Sequence, residues 1–360
     1  MRNLLVTLEY PPHQGGVANY YYNLQKNWPE PDNIFVLSNN NHKLLTKRNL
    51  PFKWFKSIFS IYSSYCKNKA NYLLIGQILP FGISALILKK LFNINYAIII
   101  HGMDFTYALK TKRKKLISTK ILDNADKIIS ANSYTKDLMI DFKNNLKEKI
   151  EVVNPGVDFL KVASDDFKGL RDKYKLKDKY VIYSLGRLVK RKNFSQVIKA
   201  IDDFDENFKS KIVYVISGSG QEEDNLKKLA QNTNVNCIFT GRVDEKEKWS
   251  WFNICDIFVM PSKNIKGDFE GFGIVFLEAN LCKKPVLGGL SGGISDAVIA
   301  NETGFLVNPD DYTDISKKIA RLLNDDNLRK NLGEKAYLRA KNDFNWNKQA
   351  KLFFKIINNK

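Results

Sequence analysis

Short apolar runs rich in β-branched residues, each followed by a glycine-containing loop and an amphipathic stretch, recur along the whole chain. Parallel strands need crossover connections, normally helices, so this order predicts an α/β doubly wound fold. Leu4–Leu8 reads as the first strand, with the loop Tyr10–Gly16 and a helix over Val17–Asn27 behind it. Asn33–Ser38, Tyr72–Ile75, Tyr96–Ile100, Lys127–Ser130 and Ile150–Val153 continue the series. A second series runs through Tyr180–Leu185, Ile212–Ile216, Val235–Thr240, Ile257–Met260, Pro285–Gly288 and Gly304–Val307. In open α/β sheets, ligands sit beyond the carboxyl ends of the strands. The chemistry is therefore sought in the residues that follow each run.

With 360 residues and 44% hydrophobic content, the chain is long enough for two globular domains. The polar stretch 161–179 separates the two series and is read as the linker. Residues 1–160 then form an N-terminal domain and 180–344 a C-terminal one. The helical pattern over 345–360 is expected to pack back on the N-terminal domain. Cys66, Cys237, Cys255 and Cys282 are scattered, which suits a reducing, cytoplasmic setting and suggests neither a zinc site nor a disulfide framework. The first apolar run is stopped by Glu9, and Ile78–Leu88 falls short of a membrane span, so no leader or spanning helix is expected. The net charge of +19 points to an anionic partner, or to lysine spread over solvated faces.

Three segments carry candidate chemistry. In Gly186-Arg187-Leu188-Val189-Lys190-Arg191-Lys192, a strand ends and Arg187 and Lys192 follow five residues apart. A forked guanidinium and a point-like ammonium together suit a diphosphate. Ser217-Gly218-Ser219-Gly220 places glycines between a strand and a helix, where a ligand can approach the backbone closely. In Glu270-Gly271-Phe272-Gly273-Ile274-Val275-Phe276-Leu277-Glu278, two glutamates bracket a glycine turn that opens a helix. The helix-start amides of Gly271, Phe272, Gly273 and Ile274 favour phosphate. Carboxylates accept hydroxyl hydrogen bonds, so Glu270 can hold a hexose and Glu278 a ribose. Asp203-x-Asp205 has metal-site spacing but lies in an acidic stretch and is read as a solvated turn, so no metal site is expected.

These segments resemble the family 4 retaining glycosyltransferases, whose fold is called GT-B. Phe239–Val243, Asp256–Ser262, Asn154–Asp158, Gly292–Asp296 and Glu302–Val307 extend the resemblance, which is dense from about Asn154 to Asp311. It implies two Rossmann-like doubly wound domains facing across a cleft, the C-terminal one holding a nucleotide-sugar donor. It implies that Arg187 and Lys192 bind the donor diphosphate, that Glu278 holds the ribose, and that Glu270 contacts the sugar. It also places the backbone of Val243 near the base, Gly15 and Gly16 near the donor phosphate, and His101 near the transferred sugar. His101 directly follows the run Tyr96–Ile100, as a ligand-facing group should. The loop Lys263–Phe269 is longer than the common family form. In this it resembles bacterial mannosyltransferases of the phosphatidylinositol mannoside type, which tilts the expected donor towards GDP-mannose over a UDP-sugar.

The reaction so implied is transfer of a hexose with retention of configuration, without a metal or other cofactor, the leaving diphosphate being held by cations and amides. The expected acceptor is a glycan or lipid-linked molecule of cell-surface polysaccharide, lipopolysaccharide or glycolipid synthesis. Lys43–Lys69 interleaves Lys47, Arg48, Lys53, Lys56, Lys67 and Lys69 with Phe52, Trp54, Phe55, Phe59, Tyr62 and Tyr65. A second basic cluster covers Lys110, Lys112, Arg113, Lys114 and Lys115. Such a mixture suits the anionic inner face of the cytoplasmic membrane, to which a cytoplasmic enzyme binds peripherally; a buried aromatic helix with a solvated rim and an RNA-binding surface are the other readings of it. A GT-B-like sugar-nucleotide epimerase, a phosphorylase and a basic nucleic-acid-binding protein are the competing readings. The first two lack a reason for paired glutamates around a glycine turn, and the last leaves the glycine-and-acid segments unexplained.

Overall fold

The computed structural model describes residues 1–13, 15–45, 54–160 and 164–359. Within Lys43–Lys69, the residues Lys47, Arg48, Phe52 and Lys53 therefore lie outside the described ones. The chain divides into two compact units, Met1–Gly156 with Trp346–Lys360, and Val157–Asn345.

Among the described residues, the first unit is built on six strands: β1 (Asn3–Thr7), β2 (Ile34–Ser38), β3 (Tyr72–Ile75), β4 (Tyr96–Ile100), β5 (Lys127–Ser130) and β6 (Ile150–Val152). They form one sheet in the order β2-β1-β3-β4-β5-β6, every pairing parallel. Both faces are covered, as a parallel sheet requires. Leu4, Val6, Leu73, Ile75, Ile98 and Ile100 point into one core, which receives Ile61 and Phe81. The alternate residues Leu5, Leu74, Ala97 and Ile99 point into the other, with Tyr20, Tyr21, Trp28, Trp346 and Phe353. The helix Trp346–Asn358 lies on that second face, where Trp346 meets the edge of Tyr20 at 5.4 Å between centroids.

The second unit contains β7 (Tyr180–Leu185), β8 (Ile212–Ser217), β9 (Cys237–Gly241), β10 (Ile257–Met260), β11 (Val286–Gly289) and β12 (Gly304–Val307). Their order is β12-β11-β10-β7-β8-β9, again all parallel. This is the dinucleotide-fold order, in which the direction of winding reverses between the first strand and the fourth, here β7 and β10. The two strands pair only at Ile182–Ile257 and Tyr183–Phe258, and both continue beyond that point. The Ser184 hydroxyl spans the parting strands, donating to the Val259 carbonyl and meeting the Tyr214 hydroxyl at 2.8 Å. A crevice at the carboxyl ends of β7 and β10 is thus written into the topology.

The stretch 161–179, expected to be a linker, is instead part of the second unit. It forms the helix Ser164–Lys173, with Phe167 and Leu170 packed on the core and Leu176 fully buried. Its apolar residues are few because only one face is covered, which makes a short surface helix look like a polar connection. Residues 161–163 of that stretch lie outside the described ones.

Candidate functional site

The loops that follow β7 and β10 meet at the winding reversal. Lys192 leaves the β7 loop in a single turn of 3₁₀ helix, Lys190–Lys192, and its ammonium reaches Glu270 on the β10 loop at 2.7 Å. Arg191 approaches the same carboxylate oxygen at 2.5 Å through Nη1. Its Nε lies 2.9 Å from Asp268, off the line of a hydrogen bond. Arg191 and Lys192 are 7% and 8% exposed, an unusual depth for two cations in sequence. Met260 Sδ forms the floor, 3.2 Å from the ammonium.

Asn193 keeps this arrangement in place. Its side-chain amide donates to the carbonyls of Pro261 and Pro309, tying the loops after β7, β10 and β12 together at 3.2 and 2.5 Å. The Lys263 amide adds a 2.9 Å hydrogen bond to the Arg191 carbonyl. On the far side, the Gly293 amide donates to the Glu270 carbonyl at 2.9 Å.

Burial shapes the ionisation of the pair. For Glu270, burial favours the neutral acid, but the charges and hydrogen bonds of Lys192 and Arg191 outweigh it and hold the carboxyl below its ordinary range. For Lys192, burial pushes the ammonium down. Glu270 opposes that push, while Arg191 and Arg187 add to it. Arg187 is itself exposed, so it contributes its charge from the rim of the loop.

Gly273 precedes the helix Ile274–Leu281 with φ +78°, and a Cβ there would stand 2.6 Å from the Phe276 ring. Only a glycine fits where this turn enters the helix, whose first amides, Ile274 included, have no partner within the helix. Glu278 projects from the same helix and accepts a 2.8 Å hydrogen bond from Lys248 on the neighbouring helix Glu245–Ile254. At the adjoining strands, Gly218 has φ +131° and a Cβ would stand 1.9 Å from the Gly186 carbonyl oxygen. The Gly218 amide donates to the Gly241 carbonyl at 2.7 Å, and Val243, half-buried, follows two residues on.

The structure thus brings Lys192 and Glu270 into contact, with Arg187 close enough for its charge to act on Lys192. It sets Glu278 against Lys248 and packs the loop of Gly218 on Gly186. Sequence reasoning missed the ion-pair contacts that Arg191, Asp268 and Lys248 make. Arg191 lies inside the quoted basic loop, but nothing in its spacing says that it turns inward while Arg187 turns outward. Asp203-x-Asp205 is used locally: Asp205 caps the helix Glu206–Ser210 through the Phe208 amide. Among the described residues, no group of three or more His, Cys, Asp or Glu is placed to hold a metal ion.

Gly15, Gly16 and His101 belong to the first unit. Gly15 precedes the helix Gly16–Lys26 at the carboxyl end of β1, and His101 follows β4. His101 Nε2 lies 2.9 Å from the Tyr21 hydroxyl, which donates to the Gly76 carbonyl at 2.6 Å. With the hydroxyl proton so committed, Nε2 carries the imidazole hydrogen and donates to Tyr21. Burial lowers the His101 pKa to about 4, so the ring is neutral near pH 7. Asp104 Oδ1 accepts from the amides of His101 and Gly102 at 3.0 and 2.9 Å, fixing the turn that carries the imidazole. Burial raises its pKa to about 6, against the pull of those amides.

Residues 166–339 match the family model described as Glycosyl transferases group 1. An uncharacterised glycosyltransferase of Methanocaldococcus jannaschii is 30% identical over 273 residues, 75% of this chain and 68% of the relative. A GDP-mannose-dependent monoacylated alpha-(1-6)-phosphatidylinositol monomannoside mannosyltransferase of Corynebacterium glutamicum is 25% identical, covering 96% of this chain and 94% of that one. Among solved structures, Anabaena HepE in complex with UDP superposes with a TM-score of 0.82 over 99% of both chains, at 17% identity. The two Rossmann-like units are thereby those of the GT-B fold. The chain belongs to the group 1 glycosyl transferases, enzymes that transfer a sugar to an acceptor.

Proposed function

We propose that the crevice between β7 and β10 holds the donor diphosphate, and that the enzyme moves a hexose with retention of configuration and without a metal. The observation that carries this reading is the double ion pair of Glu270 with Lys192 and Arg191. Two nearly buried cations and the first amides of the helix Ile274–Leu281 make a preorganised positive site where negative charge develops on the leaving group. Arg187, exposed at the rim, is free to fold over the phosphates. Positive charge that a metal would otherwise supply comes from side chains and amides.

In this reading Glu270 contacts the sugar, Glu278 the ribose, and the backbone at Gly218 and Val243 flanks the base. The family resemblance assigns Gly15 and Gly16 of the first unit to the donor phosphate and His101 to the transferred sugar. The neutral imidazole of His101 then serves as a hydrogen-bonding partner of the sugar and not as a cation. Front-face substitution fits the residues present: the bond from the anomeric carbon to the phosphate oxygen breaks, the acceptor oxygen bonds to that carbon, and the departing phosphate takes the acceptor's proton. The resemblance of the Lys263–Phe269 loop, and the mannosyltransferases among the relatives, support GDP-mannose as donor over a UDP-sugar.

A glycan or lipid-linked acceptor, reached from the cytoplasmic face of the membrane, is supported by the distribution of charge. The first unit holds 26 Lys and Arg against 10 Asp and Glu, whereas the second holds 31 against 28. Nearly all the net charge is therefore on the unit expected to receive the acceptor. Phe55, Phe59 and Tyr62 stand exposed along the helix Phe55–Lys67, as do Met103, Tyr107 and Leu116 around the Lys110–Lys115 cluster. Among the described residues no helix is long and apolar enough to cross a membrane.

The test is incubation with GDP- and UDP-sugars in excess chelator, reading nucleoside diphosphate release and the mass of the product. Release from GDP-mannose with chelator present is the expected result. Turnover that needs a divalent cation, or a product of inverted configuration, would overturn the mechanism. Failure to co-sediment with anionic vesicles would remove the membrane from the proposal.

A further inference from the structure

Lys248 is an ammonium with little access to water, fixed beside the acid assigned to the ribose. Its side chain is 13% exposed, and so is that of Glu278. The two meet at 2.8 Å across neighbouring helices, thirty residues apart in sequence. A second carboxylate, Glu245, one helical turn earlier and 70% exposed, holds the same ammonium at 2.8 Å from the solvent side. The ammonium also lies 5.3 Å from the centroid of the Trp249 ring, itself buried. Lys248 is thus held from three sides, by a rigid ring, a surface tether and Glu278.

We propose that Lys248 is a positioning residue for the donor ribose. This inference rests on the reading of Glu278 as the ribose acid. An ionised carboxylate has about four acceptor sites on two oxygens. Lys248 occupies one site on Oε1, which fixes the rotation of the carboxylate and leaves the remaining sites for the two ribose hydroxyls. A glutamate without that partner rotates freely and must be ordered when the donor binds. Because the ribose is remote from the breaking bond, the effect falls on donor binding and leaves the chemical step nearly untouched.

The discriminating measurement compares the binding of GDP and UDP with that of their 2′-deoxy counterparts. It uses the full-length protein and the variants Lys248→Met, Lys248→Gln, Lys248→Arg and Glu278→Ala. A hydroxyl bonded to an ionised carboxylate is expected to give the parent protein a preference for the ribonucleotide of roughly tenfold or more. K248M and K248Q should each reduce that ratio to about threefold or less and raise the donor KM, with kcat within about threefold of the parent. K248R should restore the ratio. If K248M and K248Q bind both nucleotides more weakly but keep the parent ratio, the ion pair only stabilises the helices and the proposal fails. If E278A keeps the parent ratio, or the parent shows none, Glu278 is not the ribose acid and the underlying reading fails, whatever Lys248 does.

Discussion

Lys192 and Glu270 face each other at 2.7 Å where the winding of the second sheet reverses, so the acid occupies cations suited to phosphate. Removing the acid's charge should separate stability from ligand binding. In Glu270→Gln the buried Lys192 and Arg191 are left without their shared counter-charge, at a cost of about 3 kcal/mol. Inorganic pyrophosphate should then raise the melting temperature of the variant by more than it raises that of the parent. Turnover should fall by about 100-fold or more, because the sugar contact is lost. Thermal melts with and without pyrophosphate check the first point; an equal response in both proteins would show that the phosphates bind elsewhere.

Arg187 and Arg191 are four residues apart and should behave in opposite ways. Arg187 is exposed, so Arg187→Ala should change stability by less than about 0.5 kcal/mol while lowering kcat/KM by about 100-fold. Arg191 is 7% exposed and bonded to Glu270. Arg191→Ala should therefore destabilise the fold by about 3 kcal/mol before any effect on turnover is considered. Chemical denaturation beside steady-state kinetics separates the two. An Arg187→Ala enzyme with full activity would remove that residue from the donor site.

Much of this arrangement could be read from the chain. Strand runs such as Tyr180–Leu185 and Ile257–Met260 are continuous and apolar because both faces of their sheet are covered, and the observed strands have those same bounds. Others shift by one or two residues: the run Val235–Thr240 becomes Cys237–Gly241, since apolar composition does not say where pairing with β8 begins. That Lys192 and Glu270 both follow the carboxyl ends of strands accords with the rule for open α/β sheets, but their direct contact was not legible in the sequence. What could not be read is direction. Whether Arg187 or Arg191 turns inward depends on the single 3₁₀ turn Lys190–Lys192, and the pairing of Lys248 with Glu278 depends on how two helices pack. Neither leaves a periodic signal in sequence.

Gly218 should tolerate no side chain. Alanine there must adopt φ +131° with its Cβ 1.9 Å from the Gly186 carbonyl oxygen, so the loops after β7 and β8 have to part. A loss of about 3 kcal/mol or more is expected, with a weaker donor interaction as the β7 loop moves. Gly169, exposed in the helix Ser164–Lys173 with no atom within 4 Å of the added Cβ, is the control. Gly169→Ala should leave donor binding unchanged and raise stability by about 0.5–1 kcal/mol. Similar melting temperatures for the two alanine variants would show that the close loop approach is not maintained in solution.

His101 and Asp104 should oppose one another in the pH dependence of stability. His101 falls to about 4 in the folded protein from an ordinary 6.5, so between those values the unfolded chain binds the extra proton and stability rises with pH. Asp104 rises to about 6 from 3.8, so across that window the folded protein holds the extra proton and stability falls with pH. Each effect amounts to about 3 kcal/mol over its window, and in the parent protein they nearly cancel between pH 4 and 6. Single substitutions expose them. In Asp104→Asn the His101 effect stands alone, and the melting temperature should climb from pH 4.5 to 6.5. In His101→Gln only Asp104 remains, and it should drop over the same range. Parallel pH profiles for the two variants would mean that neither group titrates in the turn after β4.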